Sequence, residues 1–240
     1  LRYRRLQGGH ECVHGEAEGE FHGGVKTCWT DALVTPLGVV RCELMSSASV
    51  VLSDEDQNIA RSVGFNIKRN RQALPVDWNR GKTQAPSLID GGCFWQWSFT
   101  RTGPGEAEFI ICCGLDASTA TYDPATGEDL AAVVYYTKDQ VLHIGTEDDK
   151  YLRYRAKDTS GSLPTRFGEL PIDSWEGLLD DMIHLSEHGI RLTVPELQMD
   201  ETMYFHVIAA YKQTNPQADI STWLAVDRRK SDLDSFGPWP

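Results

Sequence analysis

The stretch Cys93–Cys113, CFWQWSFTRTGPGEAEFIICC, limits what this chain can become more than any other. Cys93, Trp95, Trp97 and Phe99 fall on alternate positions, and Ala107, Phe109, Ile111 and Cys113 repeat the pattern. Successive side chains of a strand point to opposite faces, so each run offers one large apolar face. Thr102-Gly103-Pro104-Gly105 between the runs supplies the backbone freedom and the fixed φ of a reversal. The expectation is a β-hairpin whose aromatic face lies at the centre of the core.

The rest of the chain extends a β-rich reading. Val39–Met45 alternates, with Val40, Cys42 and Leu44 on one side. Ser53-Asp54-Glu55-Asp56 followed by Ile59, Ala60 and Val63 predicts a helix near 54–64, capped by Ser53 and stopped by Gly64. Ala131–Thr137 and Val141–Ile144 read as strands turning at Lys138-Asp139, with Tyr151–Arg155 as a third. Asp173-Ser174-Trp175-Glu176 opens a second helix over 174–188, whose apolar face is Trp175, Leu178, Leu179, Met182 and Ile183. Ile190–Val194, Met203–Tyr211 and Ile220–Val226 read as further strands. Tyr122-Asp123-Pro124-Ala125-Thr126-Gly127 is a turn; it resembles the turn of the YD repeats in Rhs-type proteins, and a single copy implies no repeat architecture. The sum is an α+β protein with a largely antiparallel sheet of eight or more strands and two main helices. It is read as a single domain over 1–240. A seam in the aperiodic stretch 68–92 separates an N-terminal lobe (24–67) from a main β-rich body (93–227). Residues 1–23 and 228–240 are read as arms.

Charge narrows the partners. The 240 residues carry 23 Lys and Arg against 35 Asp and Glu, a formal net charge of −12. Phosphate contacts need a basic surface, so nucleic acid is not expected. No apolar run approaches the roughly 20 residues of a membrane span, and no signal peptide is read at Leu1–Leu6, so no membrane partner is expected. Nine acidic residues against Arg191 fill 169–201. Asp180, Asp181, Glu187, Glu196, Asp200 and Glu201 within it are the candidate contacts for a basic protein. The six cysteines form no C-x-x-C pair. The compartment is left open, with the cytosol slightly favoured because Cys93, Cys112 and Cys113 lie in apolar strands where free thiols are common.

Four local patterns suggest chemistry. His10-Glu11-Cys12-Val13-His14 matches the H-E-x-x-H of zincins, in which two histidines one helical turn apart hold zinc. Flanking glycines speak against a helix here, so the looser expectation is a divalent metal held by His10, His14 and His22, with no other cofactor. Cys28-Trp29 with Ala32 resembles the nucleophile segment of papain-like cysteine hydrolases. That resemblance implies a nucleophile at Cys28, a base at His206 in Tyr204–Tyr211, and an orienting carboxylate at Asp227. The family's glycine-cysteine run before the nucleophile is absent. Asp180, His184 and His188 would share one face of the second helix. Trp78, in the aperiodic stretch, lacks an obvious packing role and is the candidate stacking platform. No catalytic constellation is complete in type, spacing and context. The leading expectation is therefore a non-enzymatic acidic binding protein, of inhibitor or immunity type, for a basic protein partner. A cysteine hydrolase and a metal-binding protein are the alternatives.

Overall fold

A computed structural model describes residues 24–52, 59–78, 88–116, 119–127, 130–157, 163–214 and 220–236. The strands are β1 (Lys26–Thr35), β2 (Gly38–Ser46), β3 (Val51–Leu52), β4 (Ile59–Ser62), β5 (Phe65–Ala73), β6 (Gly91–Arg101), β7 (Phe109–Leu115), β8 (Thr121–Pro124), β9 (Leu130–Tyr136), β10 (Gln140–Glu147), β11 (Ile183–Ser186), β12 (Gly189–Thr193) and β13 (Thr202–Gln213). The helices are α1 (Asp149–Lys157), α2 (Thr165–Glu169), α3 (Ile172–Met182), α4 (Ser221–Val226) and α5 (Lys230–Leu233), the last followed by a 3-10 turn at Asp234–Phe236. The protein is α+β and mostly β. Two antiparallel sheets face each other, one of five strands in the order β1-β2-β7-β12-β11 and one of eight in the order β3-β4-β5-β6-β13-β10-β9-β8.

The two aromatic runs are strands, but they are not a hairpin. β6 pairs with β5 and β13, while β7 pairs with β2 and β12. Residues 102–108 therefore form an arch that carries the chain from one sheet to the other. The reason is packing. Two hairpin arms would present their apolar faces side by side, whereas strands in different sheets present them to each other. Cys93, Trp95, Trp97 and Phe99 meet Val40, Cys42, Leu44, Phe109, Ile111 and Cys113 in one core. Phe109 lies 5.4 Å from Phe99 and 5.0 Å from Phe65, centroid to centroid. The arch is tied to the β4–β5 turn by Thr102 N and Gly103 N, which donate to Gly64 O at 2.8 and 3.2 Å. Strands from 24–67 and from 93–227 share both sheets.

The eight-stranded sheet is covered on both sides. Phe94, Ile208, Ala210, Leu130 and Ala132 on its outer face form a second core with Ala225 and Val226 of α4 and Leu233 of α5. This explains why Ile220–Val226, expected as a strand, is the helix α4. The outer face offers small residues at Ala132, Gly145 and Ala210, and a helix fits the shallow floor they leave. A Cβ at Gly145 would come within 3.0 Å of Val226. Residues 228–236, expected as a loose arm, are docked: Leu233 is fully buried, and Phe236 packs edge-on against Trp78 and Phe94.

Three other local expectations are corrected. Residues 59–64 of the helix expected near 54–64 are β4 and its turn into β5, with Ile59 opposite Lys68; residues 53–58 lie outside the described set. Tyr151–Arg155 belongs to α1, whose first turn is capped by Asp148 Oδ1 accepting from Tyr151 N at 2.9 Å. Leu152 and Ala156, one turn apart, are its buried apolar pair. The helix expected over 174–188 stops at Met182, and 183–186 pairs with β12 in the register Ile183↔Leu192 and Ser186↔Gly189. Gly189 makes this turn at φ 118°, where a Cβ would collide with the β7 backbone at Cys113 and Gly114. The gain of a ladder on β12 outweighs continuation of the helix, and it separates Asp180, His184 and His188, which share no helical face.

Trp97 is wholly buried between the sheets and meets Trp29 edge-to-face at 6.0 Å. Trp97→Ala is expected to destabilise the fold by about 3–5 kcal/mol, read as a lowered urea midpoint.

The buried histidines make stability pH-dependent. His143 lies beneath α4 and shares a 2.9 Å hydrogen bond with Thr222 Oγ1. Burial pushes its pKa from 6.5 down to about 3. Burial also lowers His206, although Glu147 opposes the effect. Below pH 6.5 the unfolded chain takes up protons that the folded chain refuses, so stability is complete above neutral pH and lost as pH falls. For His143 the expected slope approaches about 1.4 kcal/mol per pH unit between pH 6.5 and about 3, and His206 acts in the same direction. Denaturant titrations across pH should show this slope, and His143→Asn should make it shallower.

Candidate functional site

The arch that joins the sheets also forms one wall of a groove of about 840 Å³. Gly105–Phe109 and Phe65 line one side, Leu178, Asp181 and Met182 of α3 another, and Thr193–Leu197, leaving β12, the third. The arch must cross between sheets, and α3 and the 194–197 segment close the sandwich at that end, so the groove follows from the topology. Phe109, Met182 and Leu197 are almost fully buried and give it an apolar floor. Glu106, Glu108, Asp181 and Glu196 supply four carboxylates. The cation among the described lining residues is Arg101, and its guanidinium is already engaged. Nη1 donates to Leu197 O at 2.7 Å, Nη2 to Gly105 O at 3.3 Å, and the group lies over the Phe65 ring. The groove thus combines negative charge with apolar surface. Its size lies in the range of ordinary ligand sites.

The six expected acidic contacts are distributed unevenly. Asp181 and Glu196 line the groove. Asp180 falls in α3, with its side chain outside the described set. Glu201 is structural, because its two oxygens accept from Arg166 at 2.7 and 3.0 Å and one also accepts from Gln198 N at 2.6 Å. Asp200 occupies a turn at φ 65°, and its N–H donates to Arg101 O. Glu187 is exposed on the β11–β12 turn, where its carbonyl accepts from Tyr135. Glu106 and Glu108 were not anticipated. Their signal was Gly105-Glu106-Ala107-Glu108 after the reversal, acids at alternate positions beside the central strands.

The three residues of the hydrolase resemblance are not assembled. Cys28 lies in β1 of the five-stranded sheet, packs against the inter-sheet core, and donates its thiol to Leu44 O at 3.1 Å. Burial pushes the Cys28 thiol up, only partly opposed by Arg69, so it stays protonated at neutral pH. His206 lies on the outer face of the eight-stranded sheet and donates Nε2–H to Arg228 O at 3.2 Å. The backbone of that sheet stands between sulfur and imidazole. Asp227 caps the end of α4, one residue before Arg228.

His206 instead belongs to a buried polar cluster that the sequence did not announce. Glu147 and Arg155 form an ion pair at 3.0 Å with side chains only 2% and 6% exposed. Arg155 Nη2 donates to Tyr204 O at 2.7 Å, and Glu147 Oε1 accepts from Lys230 N at 2.6 Å. Beside them Asn70 Nδ2 donates to Gln96 Oε1 at 3.2 Å. The cluster joins β10, α1, β13 and the segment entering α5.

Trp78 lines a separate cleft of about 490 Å³ with Asp77, Arg228, Ser231, Asp232 and Ser235. Its ring is already stacked, with Arg228 over one face at 4.6 Å and Phe236 edge-on at 4.5 Å. Its Nε1 donates to Ala225 O at 3.0 Å. Trp78 thus has a packing role, joining its loop to α4 and the terminal turn. His10, His14 and His22 lie outside the described residues. Among the described residues, no group of three or more His, Cys, Asp and Glu is placed to hold a metal ion, and no helix is long and apolar enough to cross a membrane.

Comparison with protein-family models, with curated proteins and with solved structures returns no match.

Arg155→Met leaves Glu147 as an uncompensated buried carboxylate. The expected loss is about 3–5 kcal/mol, measured by chemical denaturation. The double variant Glu147→Gln with Arg155→Met should recover most of it.

Proposed function

We propose that this protein is a non-enzymatic binding protein whose acidic groove receives a basic, partly apolar segment of a protein partner. The observation that supports this reading is the lining of the groove: Glu106, Glu108, Asp181 and Glu196 around the floor of Phe109, Met182 and Leu197. Alternating basic and apolar side chains would satisfy both at once. A lysine or arginine lays its methylene stem on apolar surface and keeps its charge at a carboxylate. Two floor residues are held by regular structure, Phe109 at the start of β7 and Met182 at the end of α3, which lowers the entropy cost of forming the apolar part of the site. Complementary charge would raise the encounter rate and exclude acidic competitors. The overall charge of −12 acts in the same direction at longer range. An inhibitor or immunity-type role for a basic protein is the specific form of this reading.

The test is fluorescence anisotropy with a panel of peptides that alternate Lys or Arg with apolar residues, beside acidic and scrambled controls. Binding should favour the basic alternating peptides and weaken by about tenfold or more from low to high salt. Glu106→Lys with Glu196→Lys should abolish it. Glu187→Lys, outside the groove, should not. Equal binding of acidic peptides, or an unchanged affinity in the groove variant, would reject the reading.

A further inference from the structure

β2 and β7 set Cys42 directly opposite Cys113. The phase of their ladder is fixed at both ends. Asp116 N donates to Val39 O at 2.9 Å, and Ser47 N donates to Glu108 O at 3.1 Å. Hydrogen-bonded and non-hydrogen-bonded pairs alternate along an antiparallel ladder. Stepping inward from Val39/Asp116 makes Arg41/Gly114 a bonded pair, and from Ser47/Glu108 it makes Glu43/Cys112 one. Cys42/Cys113, between them, is a non-hydrogen-bonded pair, the kind whose Cα atoms stand about 4.5 Å apart. That lies inside the roughly 4.4–6.8 Å a disulfide spans. Both side chains point into the core and are 0% and 1% exposed. Cys42 and Cys113 belong to the same core, and both are free thiols in this structure.

The other thiols among the described residues are placed differently. Cys112 points to the opposite face, across from Glu43. Cys28 is bonded to Leu44 O. Cys93 faces the pair from the other sheet, and stacked sheets stand about 10 Å apart, beyond the ordinary reach of a disulfide.

We infer that Cys42 and Cys113 are a disulfide-forming pair, closed into a cross-strand bridge when the chain folds in the presence of a disulfide oxidant. The two thiols give up two protons and two electrons as their S–S bond forms. Oxidised glutathione, the oxidant, accepts them as its own S–S bond breaks into two thiols. Burial and the neighbouring thiol push Cys42 well up, so the thiolate that starts the exchange is suppressed in the finished core. The bridge therefore forms while β2 and β7 are pairing, before the second sheet covers them.

The test refolds the full chain, carrying Cys112→Ser, from the reduced and denatured state in a glutathione redox buffer. Remaining thiols are alkylated and the protein is digested with trypsin. The sequence places Cys42 in Cys42–Arg61, Cys93 in Thr83–Arg101 and Cys113 in Thr102–Lys138, so each linkage has its own mass. The expected result is Cys42–Arg61 joined to Thr102–Lys138, about 2 Da below the sum of the reduced peptides, and the same link in a Cys93→Ala background. Separately alkylated Cys42 and Cys113, or Cys93 joined to either, would overturn the inference.

Discussion

Trp95, Trp97 and Phe99 stand on one face of β6 and are wholly withdrawn from water by a sheet to which β6 does not belong. Side chains of this size bury about 150–250 Å² each, and no arrangement within a single sheet hides them. The opposing surface comes from β2 and β7, whose Val40, Cys42, Leu44, Phe109 and Ile111 fill the same layer. Because β7 follows β6 in the chain, the connection must cross between sheets. That crossing creates the arch, and the arch creates one wall of the acidic groove.

The eight-stranded sheet faces a second demand. Its outer side carries both an apolar patch around Phe94 and Ile208 and a polar row that includes Asn70, Gln96 and His206. Helix α4 covers the first. The second is organised by Glu147 and Arg155, which satisfy one another and bind the backbone of Tyr204 and Lys230. A buried ion pair of this kind contributes little net stability over apolar side chains. Its effect is to fix where α1 and the segment entering α5 sit on the sheet. The groove draws on none of these residues, so the C-terminal docking and the candidate binding surface are separate parts of the fold.

Much of the architecture was legible in the sequence. The alternation in 39–45, 93–99 and 109–113 marked strands that are present, the run 203–211 marked another, and Lys138-Asp139 marked the turn between β9 and β10. Local pattern misled at Ile59–Gly64, where spacing compatible with a helix became a strand and turn through pairing with β5. It misled again at Ile220–Val226, where a short apolar run fits strand or helix equally and the patch beneath it decided. Of the acidic contacts, only Asp181 and Glu196 reached the groove among those whose side chains are described. Charge density along the chain does not say which carboxylates share a concavity, and Glu106 and Glu108 joined them from 73 to 90 residues earlier in the chain.

What the sequence determined by itself is local: a strand declares itself by a period of two, because the pleat sends alternate side chains to opposite faces. The charge sign, the strand-rich α+β class and the apolar faces follow from that periodicity and from composition. The tertiary structure decided which faces meet. A strand's pattern records that one side must leave water, but not whether a hairpin neighbour, a second sheet or a helix will cover it. Burial energy is non-directional, and here two aromatic strands adjacent in the chain were resolved into opposite sheets by the need to cover both at once.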